Sequence, residues 1–110
     1  MKAINILEQA SLIVSGSSAD ENLKKSGVGL INTILEDLSI SPITALTDDI
    51  AICETGILSA LINGVGMLIC LILGDDSGLS SMSEIYNSKR SQLRGNITKV
   101  RETIFGGGEA

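Results

Sequence analysis

Asp48-Asp49 and Asp75-Asp76 are acid pairs of the kind that hold a divalent cation, and chemistry in this chain has few other places to start. Both pairs fall at expected helix boundaries. There, carboxylates ordinarily cap the chain or favour the positive end of a helix dipole, and that is the expectation for both. The sequence holds no His, so the commonest general base and metal ligand is missing. Gly64-x-Gly66 lacks the third glycine of a dinucleotide turn and sits inside an apolar run, not after a strand. There is no phosphate-binding loop, and no Ser or Cys has an evident base partner. Cys53 and Cys70 match no metal or redox spacing. If one helix carries both, they stand roughly 25 Å apart, far beyond disulfide reach. They are expected to be small buried residues in a reducing compartment. Neither an enzyme nor a bound metal or cofactor is expected.

Charge is the second chemical feature. The net value of −5 hides an asymmetry: residues 1–76 carry ten acids against three bases, and residues 77–110 carry three acids against five bases. Lys89, Arg90, Arg94, Lys99 and Arg101 form one basic stretch without aromatic interleaving, which is weak ground for nucleic-acid binding. Such a run is ordinarily a solvated helix face, and partner docking is the alternative.

The elements that position these residues read as helices. A chain of 110 residues is one domain, and with only Tyr86 and Phe105 as aromatics its core rests on Ile, Leu, Val and Met. Residues 2–15 form a first helix on Ile4, Leu7 and Val14, stopped by Gly16. The start carries Glu8 and Gln9 inside what would be an apolar region, so no secretory signal is expected there. Ser18 and Glu21 have capping-box spacing. Leu23, Gly27, Leu30/Ile31, Ile34/Leu35 and Leu38 then recur at helical spacing until Pro42 forbids continuation. Residues 43–52 read as a linker. A fourth helix follows from about Ser77, with Leu79, Met82, Ile85/Tyr86, Leu93, Ile97, Val100 and Ile104 spaced three or four apart. Gly95-Asn96 is expected to interrupt it. The expected fold is all-α: four to five helices around a central apolar helix, as a body over residues 1–93 and a C-terminal arm with a glycine-rich end over residues 94–110.

The third helix divides the possibilities. Residues 55–74 run twenty positions without a charge, about the length that crosses a bilayer. Its flanks are acidic on both sides and lack Trp or Tyr anchors, which favours a protein-buried core helix over a span. Gly56, Ala60 and Gly64 fall every four residues on one face, where small side chains let another backbone approach closely.

The order of these features resembles a known family. A helix ending in GLINTILEDL, a loop SPITALTDDI, a central helix LINGVGMLICLILGDDS and a last helix carrying EIYNSKRSQLR resemble the small helical head–tail connector (adaptor) proteins of siphophages infecting Gram-positive bacteria. The likeness covers about residues 26–94, and Asn63 stands where the family often has an aromatic before the central glycine. The resemblance implies a virion neck protein assembled in the host cytoplasm. It would form a homo-oligomeric ring, usually dodecameric, below the portal, joining the portal to the next neck or tail protein and passing DNA without sequence-specific contact. Terminal segments of such proteins embrace the portal or a neighbouring subunit. Here that role would fall to Arg94, Ile97, Lys99, Val100, Arg101, Ile104 and Phe105, with Tyr86, Lys89 and Arg90 of the fourth helix beside them. The acidic body suits a channel through which DNA slides without sticking. The competing expectation is a small holin-like membrane protein spanning the bilayer with residues 55–74.

Overall fold

The computed structural model describes residues 1–50 and 55–104, with side chains through Leu93. Four helices are present among them: α1 (Ala3–Ser15), α2 (Glu21–Asp37), α3 (Thr55–Leu73) and α4 (Asp76–Ile104). Helix α3 packs against each of the other three. Cys53, Phe105 and the glycine-rich end lie outside the described residues.

The helix ends follow from local chemistry. Asp20 is the N-cap of α2, its carboxylate accepting from the Leu23 amide at 2.8 Å. The expected capping box from Ser18 is therefore corrected: Asp20 lies one residue before the helix and reaches the third amide, a distance Ser18 cannot span. Gly16 and Gly74 end α1 and α3 in the left-handed region, at φ 72° and 71°. After Gly74, the Asp75 amide donates to the Cys70 carbonyl at 3.0 Å and Gly74 to Leu71 at 3.3 Å, a Schellman stop. Ser39 ends α2 in the same way at φ 61°, with Ile40 donating to Leu35 at 2.8 Å.

Within the stretch expected as a linker, residues 43–50 are part of the packed body, with Ile43 and Ile50 buried. The Asn32 side-chain amide grips Ile43 twice, accepting from its N–H at 2.8 Å and donating to its carbonyl at 3.0 Å. The loop then turns back, and its Leu46 and Asp48 carbonyls accept the Ile4 and Ala3 amides, each at 2.9 Å. The first amides of α1 are thus satisfied by tertiary contact, where Lys2 provides no side-chain cap. The Asp48 carboxylate does not cap α3. It closes its own turn, accepting from the Thr44 amide and hydroxyl and the Ala45 amide at 2.8–3.0 Å. Those donors hold its carboxyl below the ordinary value of 3.8.

The buried face of α1 is Ala3, Ile6, Leu7, Ala10 and Ser11, built largely from small residues that a hydrophobic pattern underweights. From α2 come Ile31, Ile34 and Leu35, and from α3 Ala60, Leu61, Gly64, Val65, Gly66, Ile69 and Cys70. Helices α3 and α4 form an antiparallel hairpin. Going up it, a β-carbon on Gly78 would stand 2.9 Å from the Cys70 sulfur, one on Gly66 2.7 Å from Met82 Cε, and one on Gly64 2.8 Å from Tyr86 Cε1. Continued at that register, Thr55 falls opposite residue 94.

Two expectations about the hairpin are corrected. Helix α4 runs through Gly95-Asn96 without interruption, because one internal glycine costs only about 1 kcal/mol against Ala and the turns on both sides continue the ladder. Gly56 is exposed, with open space where its β-carbon would stand, so the close approach is made at Gly64 and Gly66 rather than at Gly56; Ala60 is fully buried.

Candidate functional site

Tyr86, Lys89 and Arg90 lie on consecutive turns of α4, but they do not share one exposed surface. Tyr86 is turned inward and is 3% exposed. Its ring closes over Gly64 and Ile34, and its hydroxyl donates to Asp37 Oδ2 at 2.5 Å. Arg90 reaches the same carboxylate oxygen from one turn further on, with Nε at 2.8 Å. The Nε–H is not directed at that oxygen, so the contact is one of charge and not an aligned hydrogen bond. Asp37 belongs to the last turn of α2, and the trio therefore ties the end of α2 to the middle of α4. The carboxylate and guanidinium side chains are about one-third exposed, where an ion pair contributes at most about 1 kcal/mol.

Tyr86 and Asp37 border an open cleft of about 530 Å³ between α2, α3 and α4. Its floor is Ile34, Met67, Leu68 and the edge of Tyr86, and its rim holds Thr33, Glu36, Asp37 and Ser39. Asp37 was not among the residues singled out in the sequence, where it reads as one of several solvated acids on the polar face of α2. Only the crossing of α2 over α4 brings it to Tyr86. Lys89 stands on a different face of α4, in a shallow groove with Glu84, Ile85, Ser88 and Gln92.

The distal candidates Arg94, Ile97, Lys99, Val100, Arg101 and Ile104 all lie on α4, Arg94 opposite the first residue of α3 and the others beyond it. Helix α4 has 29 residues against 19 for α3, lengths of about 43 Å and 28 Å at the helical rise. Its final ten residues or so thus outrun their hairpin partner.

A second surface is apolar. Leu71, Ile72 and Leu73 on the last turn of α3 are about 60% exposed, as are Leu12 and Ile13 near the end of α1 at 50–58%. The last turn of α1 lies along α3, since a β-carbon on Gly66 would meet Val14 at 3.3 Å. Helix α3 is long and apolar enough to cross a membrane, with mean hydropathy 2.3, and 39% of that stretch is buried.

No group of three or more metal-ligating side chains occurs among the described residues. Asp75 is the N-cap of α4, its Oδ1 accepting from the Gly78 amide at 2.9 Å, and Asp76 sits in the first turn. Burial raises the Cys70 thiol above its ordinary range, with the Asp75 charge adding to the effect, so it is a packing residue rather than a nucleophile. Comparisons of the chain with protein-family models, with curated proteins and with solved structures find no match.

Proposed function

We propose that this chain is a structural protein of a phage virion, a head–tail connector whose copies form a ring beneath the portal and join it to the next neck or tail component. The observation that carries the reading is the shape of α4. In this two-helix hairpin α4 continues for about ten residues past the last position opposite α3, and that stretch carries Arg94, Lys99 and Arg101 among Ile97, Val100 and Ile104. Such apolar points, each contributing roughly 1.5–3 kcal/mol when fully buried, favour attachment to another protein. The net acidic body, with its ten acids in residues 1–76, is consistent with a channel wall that does not hold DNA. The uncovered ends of α1 and α3 offer further apolar surface for assembly. The mass of the purified soluble protein by light scattering, together with its position in a virion density map, tests the proposal. A ring-sized mass and density below the portal are expected; a monomer absent from the particle overturns it.

A second reading rests on α3 itself. Its hydropathy, and the exposure of Leu71, Ile72 and Leu73, also suit a lipid-facing helix of a small membrane protein. Against it stand the acids at Asp75 and Asp76 and the packing of α3 on three other helices, which a bilayer-spanning α3 would have to shed. Fractionation separates the two: a chain that stays in the alkali-washed membrane pellet is the membrane protein, and one in the detergent-free supernatant is not.

A further inference from the structure

We propose that Asn63-Gly64 is a latent deamidation site, held inert by the packing of α3 and released when that packing is lost. Asn63 is the one asparagine of the chain that precedes a glycine. Glycine carries no side chain to shield its main-chain nitrogen, which can therefore reach the amide of the asparagine before it. The Gly64 nitrogen bonds to Asn63 Cγ, the Cγ–Nδ2 bond breaks, and the departing nitrogen takes the Gly64 amide proton and leaves as ammonia. Water then opens the five-membered imide at either carbonyl. The products are aspartate and isoaspartate, each with a new carboxylate, and no reactant other than water is consumed.

The folded chain blocks the first step in three ways. The Asn63 side-chain nitrogen donates to the Ser59 carbonyl at 2.7 Å and lies 3.5 Å from the Ser59 hydroxyl oxygen, which turns the amide back over the preceding turn. Helical backbone, with ψ about −42°, commits the Gly64 N–H to the carbonyl four residues back. Gly64 is also buried, with α2 and α4 closed over it: a β-carbon there would stand 2.8 Å from both Ile34 Cγ2 and Tyr86 Cε1. Closing the imide swings the Gly64 nitrogen out of the helix, and Ile34 and Tyr86 leave no room for that while they are seated.

Conversion makes opening of the chain irreversible. Isoaspartate adds a methylene to the main chain and breaks the ladder of helical hydrogen bonds, immediately before the glycine that α2 and α4 close over. Either product places a carboxylate at a half-buried position, within a stretch that is free of charge from residue 55 to residue 74. A chain that opens and recloses before the imide forms returns intact. One that stays open is marked.

The test holds the full-length chain at mildly alkaline pH with and without urea and follows the peptide carrying residue 63 by mass spectrometry. Conversion is expected to be slower by about a hundredfold or more in the folded chain. Tyr86→Phe removes the hydroxyl that ties α4 to Asp37 of α2, and is expected to raise the folded rate about fivefold. If that variant does not fold, the wild-type ratio decides alone. Chains converted in urea and then diluted are expected to regain less helical circular dichroism than unconverted ones. Equal rates with and without urea, or no conversion in urea, overturn the inference. Full recovery of the converted chains overturns the irreversibility.

Discussion

At Gly64, side chains of both α2 and α4 press against α3. A β-carbon there would lie 2.8 Å from both Ile34 Cγ2 and Tyr86 Cε1, neither of which can withdraw without moving a packed side chain. Gly64→Ala is therefore expected to destabilise the fold by roughly 1–3 kcal/mol. At Gly66 the obstacle is the far end of Met82, which can swing aside, so Gly66→Ala costs less. Gly56 meets nothing, and Gly56→Ala is expected to stabilise α3 by up to about 1 kcal/mol through backbone entropy alone. Thermal or urea unfolding of the three variants checks the order, and equal effects would contradict it. Tyr86→Phe keeps the ring and removes the hydroxyl donated to Asp37. A loss of roughly 1–2 kcal/mol with unchanged assembly is expected, since the side chain is internal. Intact stability with weakened assembly would instead place Tyr86 in an interface.

At the scale of elements, the turns are held by single carboxylates. Asp75 joins α3 to α4 by capping the Gly78 amide, and Asp75→Ala is expected to cost about 1 kcal/mol, measured by chemical unfolding. No change would mean that water replaces the cap. Asp48 closes the loop whose carbonyls hold the first amides of α1. Because its carboxyl is depressed in the folded chain, the stabilisation it gives is present above the ordinary value of 3.8 and is lost as pH falls through the lower folded value. The protection factors of the Ala3 and Ile4 amides, taken against the intrinsic exchange rate at each pH, are therefore expected to fall on acidification below about pH 4, and Asp48→Asn to show lower protection already at neutral pH. Protection of both amides that persists unchanged to pH 3 would refute this link.

For the whole molecule, α4 is ten residues longer than α3, the helix it pairs with. A chain ending at Ser91 retains Tyr86, Arg90 and the contacts of α3 with α1 and α2. It is expected to keep a cooperative unfolding transition while losing assembly altogether. Normal assembly of the shortened chain would remove the arm from the proposal, whereas loss of cooperative unfolding would show that the extension stabilises its own body.

The all-α class, the four helices and most of their ends were legible in the sequence. Three-four spacing of Leu and Ile, the glycines at 16 and 74 and the charge-free run at 55–74 are local signals, and each acts on the backbone within a turn or two. The inward face of α1 was legible only in part, because Ala3, Ala10 and Ser11 are buried by what crosses them and not by their own hydrophobicity. Asn32 read as part of the polar face of α2 and Asp48 as a helix-boundary acid, until the loop folded back to offer them Ile43, Thr44 and Ala45. The Tyr86–Asp37 bond joins residues 49 positions apart, a separation that no periodicity encodes. Whether a small residue marks a close contact was likewise decided in three dimensions: Gly56 and Gly64 lie on one helical face, yet only Gly64 has another helix against it. Sequence determines where a helix begins, ends and turns its apolar stripe, because those energies are local. Only tertiary structure decides which polar groups meet, because that depends on where distant segments cross.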